Sequence, residues 1–226
     1  MTKKTTRDSR RHGMCMALVL AGVACAATVQ AQDVMTQLPQ MDEDAANIRL
    51  DGRLDEGVWR NVPYIDGMRV VIPDTLAETA YETHTKIFYT ERGIYVGVMN
   101  FQPADTIVAR RTSRDTRLER DGFVLMIDPS GSGLYGYMMR INLGGSMTDA
   151  TILPERQLNL QWDGSWDAET SEVEGGWVAE MFVPWSMMAL PQVAGETRTI
   201  GLYTERQVGS SGETWSFPPL PQLSAS

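Results

Sequence analysis

The sequence predicts an all-β chain, a two-sheet antiparallel β-sandwich of immunoglobulin or jelly-roll type with one short helical turn near 185–190. Three observations predict it. Apolar runs are short and are broken every few residues by Gly, Pro, Asp or Asn, which is the punctuation of strands and turns. One adjoining pair of runs alternates with a two-residue period across a short loop, as a hairpin does. No long 3.6-residue periodicity, no repeat and no second domain interrupts the pattern.

The chain opens on MTKKTTRDSRRHG, with Lys3, Lys4, Arg7, Arg10 and Arg11 against Asp8 alone. The apolar run MCMALVLAGVACA that follows is too short to span a bilayer. Val29-Gln30-Ala31 then offers a small-residue cleavage site. Residues 1–31 therefore read as an export signal, and the mature chain is expected in the periplasm or secreted, with no transmembrane segment. Cleavage near Ala31 takes the formal net charge from −9 to −13 and removes Cys15 and Cys25, the chain's two cysteines. An exported chain without cysteine has no disulfide, no thiolate nucleophile and no Cys metal ligand. Its acidity excludes nucleic acid and anionic membrane surfaces as partners, since both repel a net anion. Residues 32–46 are polar, with Pro39 and an Asp42-Glu43-Asp44 cluster, and are expected to form a flexible leader. The folded domain is expected over 47–218, with a proline-rich tail at 219–226.

The domain opens on IRLDGRLDEGVW, residues 48–59. Ile48 and Leu50 predict one side of an edge strand, Asp51-Gly52 a turn, and Leu54 a return to the core. Asp55 is placed to cap a short helical turn that carries Trp59 inward. The hairpin THTKIFYT-ERG-IYVGVMNF comes next. Its loop ends in Gly93, which suits a last turn residue with positive φ. Phe123–Asp128 is almost wholly apolar, as a strand covered on both faces is. Tyr135–Leu143, Trp177–Val183 and Thr197–Thr204 follow as strands, with Met68–Ile72 and Glu213–Phe217 fainter. Pro184 to Leu190 predicts the helical turn, stopped by Pro191.

These residues also carry a resemblance. Ile48-x-Leu50-Asp51-Gly52-x-Leu54-Asp55-Glu56-x-x-Trp59 resembles the opening of carbohydrate-binding modules of family nine, and of the family-nine-like domain at the front of exported proteins of outer-membrane-bearing bacteria. The resemblance continues in order through Gly93-Ile94-Tyr95-Val96-Gly97-Val98, Arg114-Asp115, Asp121-Gly122-Phe123-Val124 to Asp128, Arg140-Ile141-Asn142, Gly145, Asp149 and Trp162-Asp163-Gly164-x-Trp166. It closes with Gly176-Trp177-x-x-Glu180, Gly201 to Arg206 and Glu213-x-Trp215. It implies a β-sandwich that binds a poly- or oligosaccharide without altering it. Sugar-binding members clamp a terminal sugar between two aromatic rings. The positions that match are Leu118, which is not aromatic, and the stretch after Trp215-Ser216, which has no ring beyond Phe217.

Several constellations are candidates for chemistry. Trp162 and Trp166 lie four apart, so an extended chain puts both on one face; with Asp163 between them they are the candidate sugar platform. Trp59 and Trp177 are expected in the core. Arg110 and Arg111 form a basic patch able to hold a carboxylated sugar, and Arg114 is expected to pair with Asp121 or Asp128. Asp128 and Asp149 are candidate Ca²⁺ ligands, a cofactor the resemblance permits. Glycoside hydrolysis needs two carboxyls facing one cleft, and Asp121 and Asp128, seven apart, face opposite ways along a regular strand. The alternative to sugar binding is a periplasmic protein-interaction domain that docks on an outer-membrane β-barrel.

Overall fold

The computed structural model describes residues 37–109, 120–192 and 197–220. In chain order its strands are β1 (Tyr64–Ile65), β2 (Arg69–Ile72), β3 (Thr83–Tyr89), β4 (Gly93–Phe101), β5 (Gly122–Asp128) and β6 (Gly136–Asn142). Then come β7 (Met147–Leu153), β8 (Gln157–Asn159), β9 (Asp167–Val173), β10 (Gly176–Pro184), β11 (Gly201–Val208) and β12 (Glu213–Phe217). They form two antiparallel sheets, a five-stranded one in the order β1-β3-β4-β10-β9 and a seven-stranded one in the order β2-β12-β11-β5-β6-β7-β8. The helical content is α1 (Glu43–Ala46), α2 (Gly57–Asn61) and single 3₁₀ turns, one of them at Trp185–Met187 within the stretch predicted as helical.

The core lies between the sheets, because alternate residues of each strand point inward. Ile87, Val96, Val98, Trp177, Ala179 and Met181 from the five-stranded sheet meet Phe123, Leu125, Ile127, Met139, Ile141 and Trp215 from the other. Trp59 and Trp177 are both buried, as expected. Trp59 belongs to a second cluster on the outer face of the five-stranded sheet, with Phe88, Tyr95 and Phe182.

The expected hairpin is there, with Ile87 opposite Val96 and Tyr89 opposite Ile94, but Gly93 is not among the residues with positive φ. Its glycine serves close packing, since a Cβ there would strike the Val183 carbonyl oxygen. The strand expected over Thr197–Thr204 starts later, at Gly201. Ile48–Leu50 forms no strand, and Glu56 rather than Asp55 stands at the N-cap of α2, with no side-chain cap bond. The end of the expected flexible leader is folded. Asp42 caps α1 by accepting from Ala45 N at 2.9 Å. Glu43 Oε1 accepts from Arg92 and from the Tyr95 hydroxyl, each at 2.7 Å, and Met41 N donates to the Tyr89 carbonyl.

Candidate functional site

The opening motif is a lock whose keeper lies on β10. Glu180 is fully buried. Its Oε2 accepts from the backbone N–H of Asp51 at 3.1 Å and of Gly52 at 3.2 Å, and its Oε1 from the Trp59 indole at 3.2 Å. Burial pushes the Glu180 carboxyl up to about 7; the Glu56 charge adds to this, and the three N–H donors oppose it. Gly52 adopts φ 77° and lies so close to Thr170 that a Cβ would stand 2.8 Å from that backbone, so a turn with a side chain is excluded twice over. Glu56 Oε1 accepts from Arg49 N, which ties the motif to itself. Asp55 lies on the rim of a groove beside it.

The proposed tryptophan platform does not form. Trp166 is 5% exposed and belongs to the core, with its indole donating to Asp149 Oδ2 at 3.0 Å. Trp162 is half-buried, its ring 5.0 Å from that of Tyr137 at 52°. The reason is Gly164. Residues 162–166 are not an extended strand; the Trp162 ring lies against Gly164 where a Cβ would be, and Gly164 N donates to Asp149 Oδ2. Asp163 is exposed.

Asp149 thus spends one oxygen fixing the Trp162–Trp166 segment. Asp128 organises the next loop by accepting from Ser130 N, the Ser130 hydroxyl and Gly133 N. Burial raises the Asp128 pKa, but these bonds prevail and hold it below the usual range. The two carboxylates sit at different positions along their strands, Asp149 being opposite Met139 and Asp128 opposite Gly201. They do not share a site, and among the described residues no three His, Cys, Asp or Glu side chains converge as metal ligands do.

Arg110, Arg111, Arg114 and Leu118 lie outside the described residues. Asp121 is nonetheless held. It is fully buried and accepts from Val108 N at 2.6 Å, Gly209 N at 3.2 Å and the Gln102 amide at 3.3 Å. Gln102 Oε1 in turn accepts from Arg206, which also donates to the Glu82 and Phe101 carbonyls and to the Thr83 hydroxyl, each at 2.9 Å. Burial pulls the Arg206 guanidinium down to about 10, opposed by the charge of Asp121. This inward arginine, 4.8 Å over the Trp215 ring, is the buried counter-charge to Asp121.

The surface that gathers recognition groups is the outer face of the seven-stranded sheet. Strand register lines up Arg69, Ser216, Glu205, Val124, Arg140 and Thr148 in one row across six strands. The next row carries Tyr203, Met126, Met138 and Ala150. Val124, Met138 and Ala150 are buried beneath the polar side chains of this face, with Met126 half-buried among them. Over them the Tyr203 hydroxyl donates to Glu205 Oε1 at 3.1 Å. Burial raises the Glu205 pKa, while Tyr203 and the charges of Arg140 and Arg156 oppose the shift. Arg156 and its neighbour Glu155 both adopt positive φ, at 55° and 60°, a conformation that costs energy in a side-chain-bearing residue. None of Tyr203, Glu205, Arg140 or Arg156 was singled out from the sequence as a site residue. The signal was the alternation in GLYTERQV, legible once its strand starts at Gly201.

This architecture has been seen before. A carbohydrate-binding module of family 9 from Caldicellulosiruptor kristjanssonii, in complex with cellotriose, superposes with a TM-score of 0.55 at 13% identity, over 80% of this chain and 83% of that one. The complex with glucose gives 0.54 at 13% identity, over 78% and 84%. A Bacteroides uniformis protein provisionally described as carbohydrate-binding gives 0.54 at 12% identity, over 81% and 91%. The fold is that of a family-nine carbohydrate-binding module. No family model matches the sequence, and no curated protein does. Among the described residues no helix is long and apolar enough to cross a membrane.

Proposed function

We propose that this family-nine-like domain is exported and binds carbohydrate, without catalysis, on the outer face of its seven-stranded sheet. The observation that carries the reading is the row in which Glu205 and Arg140 flank Val124, with Tyr203 and Arg156 beside them. A carboxylate and guanidinium groups supply fixed acceptors and donors for sugar hydroxyls. The fold shared with modules crystallised with cellotriose and glucose supports it. The test is calorimetric titration with cello-, xylo- and chito-oligosaccharides. The wild-type chain is expected to bind at least one series with unmodified sugar recovered, and Arg140→Ala or Glu205→Gln to weaken it about tenfold or more, the weight of a hydrogen bond to a charged group. Flat titrations across all three series at millimolar ligand overturn the reading.

A specific observation favours the alternative, a docking surface for another protein such as an outer-membrane β-barrel. Leu134, Tyr135, Leu153, Leu158 and Leu160 are exposed at the corner where β6, β7 and β8 end. Exposed apolar residues gathered beside a short edge strand mark contact sites. Pull-downs from the periplasm in which Leu158→Lys and Leu160→Lys lose a protein partner would support it, whereas recovery of glycan alone counts against it.

A further inference from the structure

The ring surface that sugar stacking favours lies on the other sheet. The 48–62 segment covers only half of the five-stranded sheet's outer face. It sits over the row of Phe88, Tyr95 and Phe182 and reaches the row of Lys86, Gly97 and Glu180. In the next row His84, Met99 and Ser171, with Phe101 and Val173 beyond it, stay half-buried, while Val178 is buried and Ser171 is tied to the Gly52 carbonyl. The result is a groove of about 620 Å³ with Arg53 and Asp55 on its covered lip and Glu172 and Glu174 at its far end. Its size is that of ordinary ligand sites.

One wall is aromatic. It is made by His84 and Phe101, which meet edge-on at 4.9 Å, and the Tyr64 ring, outside the lining, stacks behind His84 at 3.9 Å and 16°. Tyr64 is 51% exposed, and Glu82 steadies His84 at 3.1 Å. Lys86 is anchored by donating to the Trp59 carbonyl. The rim carries both signs of charge, Arg53 and Lys86 against Asp55, Glu172 and Glu174, so no single-sign ligand is selected. The floor strands β3, β4 and β10 are each paired on both sides, so the floor offers no backbone pairing to a peptide; the free edge of β9 lies at the far rim. What remains is recognition by ring faces, apolar floor and side-chain hydrogen bonds.

We infer that this groove is a second saccharide-binding site, for a neutral oligosaccharide lying across β3, β4, β10 and β9. It rests on the carbohydrate reading and makes the module bivalent, with one site on each face. The row from β3 to β9 spans about 14 Å at ordinary strand spacing, which accommodates a chain rather than a single ring.

The experiment uses the whole chain with methyl-labelled methionine and the three oligosaccharide series as probes. Met99 lies on the floor of the groove and Met126 on the outer face of the other sheet; Met99→Leu and Met126→Leu assign their signals. The expected result is saturable movement of both signals with separate affinities. In His84→Ala, which removes a ring that lines the groove, the Met99 titration weakens about tenfold, the scale of losing an aromatic contact, while the Met126 titration is unchanged. Movement of Met99 alone supports the groove and removes the site on the seven-stranded sheet. Movement of Met126 alone overturns the groove and leaves the proposed function standing. Movement of neither overturns both.

Discussion

Glu180→Gln tests the lock at the heart of the opening motif. The amide keeps one oxygen, which can still accept from the Asp51 and Gly52 N–H groups that share Oε2. The new NH₂ then faces the Trp59 indole N–H, which loses its acceptor in a fully buried place. An unsatisfied buried donor costs about 1–3 kcal/mol. The pH dependence carries the sharper signal. The folded-state pKa of about 7 exceeds the ordinary 4.5, so the folded state binds the proton more tightly than the unfolded chain does. The stability contributed is fully present below pH 4.5 and lost as pH rises through 7. Between pH 5 and pH 8 the wild type should therefore lose about 2–3 kcal/mol from this group, which the glutamine variant cannot lose. Urea denaturation of both proteins at the two pH values measures it, because the other carboxylates titrate in both and cancel in the difference. The stability gap between wild type and variant should narrow by that amount at pH 8. A gap that stays constant or widens with pH would refute the reasoning, since it would mean that the three N–H donors outweigh burial.

Arg206→Met should cost about 3–5 kcal/mol, because it strands Asp121 as a buried charge without its counter-charge and leaves the acceptors of Glu82, Phe101, Thr83 and Gln102 unmet; urea midpoints read it. Trp166→Ala should cost about 3–5 kcal/mol as a large core truncation, and Trp162→Ala much less. Equal losses in thermal melts would contradict the burial assigned to each ring. Gly176→Ala should abolish cooperative folding or shift the melting temperature by more than 5 °C, because a Cβ there collides with the Asn100 carbonyl that β4 presents to β10.

The parts of the fold that could be read from the sequence are those where inward and outward residues differ in character. Ile87 against Lys86, Val96 and Val98 against Gly97, and the unbroken FVLMI of β5 each announce a strand. β9 does not, because DAETSEV is an edge strand whose side chains are small or polar on both faces. β7 hides for a related reason, with Thr148 and Asp149 breaking its apolar run. The Trp162–Trp166 pairing failed on one residue, as Gly164 lets the chain fold onto the first ring instead of running extended. No local pattern could reveal that Arg206 faces inward, since its four acceptors sit more than a hundred residues away in sequence. The outer-face row of Glu205 and Arg140 was hidden by register, because it exists only once β11, β5 and β6 are aligned.

The opening motif decides how much of a sheet stays open. Glu180 fixes Asp51, Gly52 and Trp59 on the middle row of the five-stranded sheet. Leu54 and Trp59 then press on Gly97, where a Cβ would stand 2.6 Å from Leu54 Cδ2. Ser171 adds a 2.5 Å bond to the Gly52 carbonyl from the far strand. The covering segment therefore cannot advance over Met99 without breaking the Glu180 bonds, nor withdraw without exposing Trp59. Its edge, at Arg53 to Asp55, is the lip of the open groove. Residues whose own role is structural thus set the width of the groove beside them, and a change at Gly97 or Glu180 reaches that groove without altering a residue that lines it.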